Sequence, residues 1–469
     1  MKTVRVTVSL KRLLSVLWML CFANAVVAQD VEPTPVVVEA ALPFAALAAF
    51  PTAQRYWGVH EGAGYRVEVP ANWNGSLVMY AHGYRGTGPQ LTVSNPAIRS
   101  YLLANGFAWA ASSYYRNQYD ARAGVISTNA LARHFDVITG RTPSRYFIHG
   151  HSMGGHITVA AIEQFPNRSC PPGKIGHFCR EVVEFLGQLA GGVKYSGAVP
   201  MCGVNADTRL FDYFSDFNLV AAKLANVEVP RPAANFATAY LPGIVASHFV
   251  TYPTVNTALG DKLKASTIEL TGGPRPIVGL SYPGFMNLLF GFGGGDGSIP
   301  FITDDLSVVS NVGRIYQLDH DPKLSQEEWT FNREILRLRA DPNANPEKFL
   351  DLELIPKTTG NLHVPTVSMH TLGDLFVPFS MQQIYLQRTQ LWHQDENLVV
   401  RAIRAAQHCE FSVPEQERAF ADMLAWVDQG IKPKGDKILS RKAVQAASFG
   451  CQFTTPVRPY DNPAACAAP

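Results

Sequence analysis

The chain has 469 residues, a formal net charge of +2 and a charged fraction of 17%, below the roughly 25% of typical globular proteins. A near-neutral balance without a basic or acidic run excludes nucleic acid as an expected partner. The length and the low charge suit a large buried core.

Residues 1–28 have the plan of an export signal. Lys2, Arg5, Lys11 and Arg12 give a positive start, Leu13 to Val27 an apolar segment, and Ala28 a small residue at the expected cleavage point. The apolar segment is short for a bilayer span and no second one approaches that length, so no stable membrane insertion is expected. Residues 29–54 are rich in Ala, Pro and Val without a period, and are expected to form a leader of low order.

The first clear strand is Tyr65–Val69, followed by a turn at Asn74-Gly75. Leu77–Ala81 is continuously apolar, as in a strand buried on both faces, and it runs into His82-Gly83-Tyr84. A helix over Ile98–Leu103, a strand over Phe107–Ala111 and a helix over 123–139 stopping at Gly140 follow. The strand 145–149, a turn at Ser152, a helix to Phe165 and a strand over Ser196–Met201 complete this half. Alternation of strands and helices predicts an α/β fold with a mostly parallel sheet flanked by helices.

From 204 to 362 the rhythm breaks into Pro- and Gly-rich segments, aromatics and short helices, which predicts an inserted cap or lid. The core, 55–203, resumes over 363–435 with the strand Val364–Met369, then Gly373-Asp374. It continues with a strand over Leu398–Ile403, His408, and a capping box Ser412–Glu415 that opens a helix ending at Gly430. Residues 436–469 remain as a C-terminal extension.

Beyond the signal there are six cysteines, an even number that favours disulfides in an exported chain. Proximity suggests Cys170–Cys179 and Cys451–Cys466, leaving Cys202 with Cys409; free buried thiols are the alternative. No Cys or His grouping has metal-ligand spacing, and no metal or cofactor is expected. His149, His151 and His156 cluster near the serine in sequence but sit on strand end, turn and helix, as structural histidines would.

The chemistry centres on Gly150-His151-Ser152-Met153-Gly154-Gly155. Glycines on both sides relieve the crowding of a strand-to-helix turn and leave the serine hydroxyl exposed. A serine hydroxyl needs a base, and the base needs an orienting carboxylate. Asp374 and His408 each follow an apolar strand, in the order Ser, Asp, His. The rival acids Asp296, Asp304 and Asp305 follow no core strand.

With His82-Gly83, the Ser152 motif, Gly373-Asp374-Leu375-Phe376-Val377-Pro378 and His408 in place, the chain resembles the α/β-hydrolase superfamily, specifically exported serine esterases with a large cap. The resemblance implies Ser152 as nucleophile, His408 as general base and Asp374 as its partner. It further implies an oxyanion hole from the backbone N–H groups of Tyr84 and Met153. Tannase and feruloyl-esterase relatives carry a cysteine directly before the serine, where this chain has His151. The expected activity is hydrolysis of a small-molecule or polymeric carboxylic ester, apolar or aromatic, by a secreted or periplasmic enzyme. An exported peptidase or amidase with the same triad and a non-catalytic binding protein on this fold are the alternatives.

Overall fold

The computed structural model describes residues 34–163, 191–230, 235–292, 307–346 and 352–466. The expected signal, Cys170, Cys179 and the acids Asp296, Asp304 and Asp305 lie outside them.

Among the described residues, eight strands form one sheet: β1 (Gln54–His60), β2 (Ala63–Val69), β3 (Ser76–Ala81), β4 (Ala108–Ser112), β5 (Arg145–His151), β6 (Tyr195–Met201), β7 (Thr366–Thr371) and β8 (Leu398–Ile403). Their spatial order is β1-β2-β4-β3-β5-β6-β7-β8. The hairpin β1–β2 and the pair β2–β4 are antiparallel, and every other neighbouring pair is parallel. β3, β4, β7 and β8 are buried along their whole length, which is why β3 and β4 read as mostly apolar runs, while β7 and β8 also bury His370 and Arg401.

The helices are α1 (Arg99–Ala104), α2 (Ala121–Thr139), α3 (Met153–Glu163), α4 (Arg209–Leu224), α5 (Leu241–His248), α6 (Ala258–Leu270), α7 (Val278–Gly291), α8 (Gln326–Glu334), α9 (Ser380–Leu391), α10 (Val413–Gln429) and α11 (Arg441–Val444). Alternate strand residues point to opposite faces. Leu77, Met79 and Ile148 meet Val125 and Phe135 of α2 and Ile157 of α3 in one core. Val78, Phe147 and Val199 meet Leu102 of α1 and Phe420 and Met423 of α10 in the other. The expected stops are present: Gly140 and Gly430 end α2 and α10 at φ 69° and 70°. Ser412 and Glu415 cap α10 reciprocally.

Two expectations need correction or extension. The leader is ordered from residue 35 onward: Leu42 and Phe44 are buried against the sheet. Arg66 Nε and Nη2 each donate at 2.8 Å to Leu42 O and Ala41 O, and Arg99 Nη2 donates to Ala45 O at 2.9 Å. An irregular strap held by its carbonyls has no hydrophobic period, so it looks featureless in sequence. The C-terminal extension packs back on the core: Arg404 pairs with Asp461 at 2.6 Å and Arg458 with Glu415 at 2.8 Å.

Among the described residues between β6 and β7, the chain carries α4 to α8, plus a short hairpin of Phe249–Thr251 with Val255–Asn256, and no strand of the main sheet. Among the described residues, no helix is long and apolar enough to cross a membrane.

Candidate active site

Four parallel neighbours, β5 to β8, end side by side, and each is followed by a residue of interest. Ser152 follows β5, Cys202 follows β6, Asp374 lies three residues past β7, and His408 lies beyond β8. In register, His151 faces Met201 and Met369 also faces Met201, while Thr371 faces Ile403. Adjacent strands run about 4.8 Å apart, so these ends share one rim of the sheet.

Ser152 sits at φ 59°, the left-handed region that non-glycine residues avoid. The strain is held by hydrogen bonds on both sides of the turn. Its N–H donates to Met201 O at 3.0 Å, and its carbonyl accepts from Gly155 N at 2.8 Å and His156 N at 3.2 Å. The glycines are sterically required. A Cβ on Gly150 would lie 2.3 Å from Gly154 O, and one on Gly154 would lie 2.1 Å from Ala81 O. Gly155 has the same role toward β6, since its Cβ would meet Gly203 Cα at 2.5 Å. Met153 opens α3, so its N–H is one of those without an intrahelical acceptor. The loop after β3 passes close by: a Cβ on Gly83 would be 3.0 Å from Ser152 Cβ.

Asp374 is fully buried. Its Oδ1 accepts from Phe376 N at 2.9 Å and Val377 N at 3.0 Å, which leaves Oδ2 to accept from His408 Nδ1 at 2.6 Å. With Nδ1 carrying the proton, Nε2 of His408 keeps its lone pair for a proton from elsewhere. The Cys202–Cys409 disulfide ties this loop to the end of β6, with the Cys409 sulfur 3.3 Å from His408 Nε2. Cys451–Cys466 is the second bridge among the described residues, as proximity suggested.

The two sulfurs and His408 are the one Cys/His/Asp/Glu group among the described residues close enough to share an ion, within 4.8 Å. Both sulfurs are spent in the disulfide and offer no thiolate. His149, His151 and His156 do not converge. His156 Nε2 donates to Pro356 O at 2.8 Å, with Tyr119 Oη 3.0 Å from its Nδ1, and His151 Nε2 donates to Gln416 Oε1 at 3.1 Å. His149 departs from the expected satisfied histidine: both ring nitrogens lack a partner, and burial pulls it down to about 3.

Sequence reasoning missed the residues that grip the acid turn from the inserted segment. Arg275 Nε donates to Leu372 O at 2.7 Å and Tyr213 Oη donates to Leu375 O at 3.0 Å. Ser281 of α7 packs on Gly373, where a Cβ would meet its Oγ at 2.0 Å. Nothing in a local pattern marks such residues, because their partners are backbone carbonyls distant in sequence. The segment also supplies a row of rings: Phe214 lies 4.1 Å from Phe292, which lies 6.0 Å from Phe376, which lies 5.0 Å from the His408 ring.

No family model matches the sequence. The chain is similar to o-phthalyl amidase from Xanthobacter agilis, 21% identical over 438 residues that cover 84% of this chain and 91% of that protein. Among solved structures it is similar to feruloyl esterase B from Aspergillus oryzae, with a TM-score of 0.41 and 13% identity, covering 84% of this chain and 86% of that one. It is also similar to esterase 2 from Thermogutta terrifontis, with a TM-score of 0.35 and 11% identity, covering 82% and 98%. By its strand order, the chain has an α/β fold with a mostly parallel sheet flanked by helices, and Ser152 stands in a strained turn at the rim of that sheet.

Proposed function

We propose that the chain is an exported serine hydrolase that cleaves carboxylic esters through an acyl-enzyme on Ser152. The observation that carries the reading is the 2.6 Å bond from His408 Nδ1 to the buried Asp374, on the rim where Ser152 stands at the apex of its turn. Ser152 Oγ attacks the carbonyl carbon while His408 Nε2 takes its proton. The tetrahedral oxyanion is met by the N–H groups of Met153 and Tyr84, each worth roughly 3–4 kcal/mol in such sites. The C–O bond of the ester then breaks, and His408 returns the proton to the leaving alcohol. A water repeats the sequence on the acyl-enzyme and frees Ser152.

The half-exposed Phe376 ring beside His408, backed by Phe292 and Phe214, supports an apolar or aromatic substrate. Two disulfides fit an oxidising compartment, either periplasmic or outside the cell. Similarity to an amidase over 84% of the chain favours amide cleavage by the same residues as the second reading.

The test compares wild type and Ser152→Ala on p-nitrophenyl acyl esters of graded size and on matched anilides. Loss of ester turnover in the variant with unfolding unchanged is the expected result, and equal turnover by both proteins overturns the proposal. Turnover of anilides without esters replaces the first reading by the second.

A further inference from the structure

Arg275 is 7% exposed, and no carboxylate lies within ion-pair distance of it among the described residues. A buried guanidinium without an acid beside it is costly, so its surroundings repay inspection. Its Nε donates to Leu372 O at 2.7 Å, its Nη1 to Gly273 O at 2.9 Å, and its plane lies 5.8 Å from the Phe379 ring. Burial pulls it down to about 10, which leaves it charged at neutral pH. The carboxylates whose fields it feels are Asp374 and Glu269, and Glu269 is already held by Arg441 at 2.8 Å and by His320 at 3.0 Å. Glu269 is thus engaged elsewhere, and Asp374, two residues past the carbonyl that Arg275 grips, is the other carboxylate whose field reaches it.

The same reckoning holds from the side of the Asp374–His408 pair. His370 lies 3.8 Å from Asp374 Oδ2, but burial holds it neutral, down to about 4, with Nε2 donating to Val377 O. His151 from the end of β5 is held down to about 4 as well. Tyr213 from α4 is pushed well above its ordinary value by burial. Glu410, two residues past His408, is directed at Arg458 at 3.6 Å and at Gln407 N at 3.0 Å. Among these groups, Arg275 is the fixed cation behind the acid turn.

We propose that Arg275, supplied by the inserted segment, is a positioning residue that fixes the Asp374 turn through the Leu372 carbonyl and sets the proton affinity of His408 through its charge. The inserted segment thereby governs the pH at which the base is free, in addition to any contact it makes with substrate. The inference rests on the serine-hydrolase reading.

The experiment is the pH dependence of kcat/KM, on an ester turned over by wild type, for wild type, Arg275→Met and Arg275→Lys, with Ser152→Ala as control. Removing the charge in Arg275→Met is expected to move the acid limb upward by about half a pH unit or more, because the carboxylate then acts on His408 alone. Arg275→Lys keeps the charge but cannot span Leu372 O and Gly273 O together. It is expected to lower kcat with the acid limb where wild type has it. An Arg275→Met enzyme that loses rate with an unmoved limb overturns the proposal. So does an Arg275→Lys enzyme whose limb moves by half a unit, and that variant decides alone should the methionine variant not fold. Activity indifferent to Ser152 instead overturns the hydrolase reading on which both rest.

Discussion

Cys202 and Cys409, 207 residues apart in sequence, are bonded to each other, and each sits in the left-handed region, at φ 44° and 56°. The bond closes the ring between the end of the strand that receives the Ser152 N–H and the loop that carries His408. On chain-entropy grounds a bridge of that span contributes about 5 kcal/mol. The double variant Cys202→Ser/Cys409→Ser is expected to lose stability on that scale and at least tenfold in kcat. Cys451→Ser/Cys466→Ser, which opens a span of 15 residues, is expected to cost stability, about 3 kcal/mol, with kcat retained. Urea unfolding and steady-state kinetics on the two double variants check this, and equal kcat losses contradict it.

Asp374→Asn should separate charge from shape. The amide oxygen can still accept from Phe376 N and Val377 N, but the amide nitrogen then donates to His408 Nδ1 and forces the proton onto Nε2. A base in that tautomer cannot take the Ser152 proton. The expected loss in kcat is about 10³ to 10⁴-fold with an unfolding midpoint near that of wild type.

Two glycines by the serine predict opposite outcomes. Ala at 83 places a Cβ 3.0 Å from Ser152 Cβ, a contact that a small shift of the loop relieves. That variant is expected to fold and to lose activity. Ala at 154 places a Cβ 2.1 Å from the backbone oxygen of Ala81, which sits in the middle of the sheet. It is expected to lose more than about 3 kcal/mol, by the route of an overpacked core. Soluble yield and thermal unfolding of the two variants distinguish the cases.

Acid should unfold the protein earlier than its carboxylates alone would suggest. His82 and His149 are pulled down to about 3, and His151 and His370 to about 4, each mainly by burial. The unfolded chain takes up these protons below about pH 6.5, while the folded chain refuses them until the lowered values are reached. Stability is therefore unaffected by these groups above pH 6.5 and falls as pH drops from there toward 4. Each such group contributes up to about 1.4 kcal/mol per pH unit. Urea midpoints at pH 7.5, 6 and 5 are expected to fall in that order; a flat series contradicts the neutral buried histidines.

The parts of the fold legible in the sequence are those dictated by local patterns. Apolar runs marked β3 and β4, Gly140 and Gly430 marked helix ends, and the Ser412–Glu415 box marked the start of α10. The turn at Ser152 was legible because steric crowding writes glycines into the chain on both sides of it. The antiparallel edge strand β1 and the strap before it were not, since their partners are carbonyls and a half-exposed hairpin rather than a period. The grip of Arg275, Tyr213 and Ser281 on the acid turn lay beyond reach for the same reason. Those contacts join segments about a hundred residues or more apart.

The C-terminal segment has a bearing on how the loop of His408 is held. Arg404 and Ala406 stand just before His408, and they are held by Asp461 at 2.6 Å and by Tyr460 Oη at 2.9 Å. Arg458 Nη2 donates to Glu410 O at 2.8 Å on the other side of the histidine. A chain clipped before residue 458 keeps the Ser152 turn, Asp374 and every strand of the main sheet, yet lacks the contacts that brace the loop of His408. On the serine-hydrolase reading, activity therefore depends on residues 458–461 as well as on the residues that carry the chemistry.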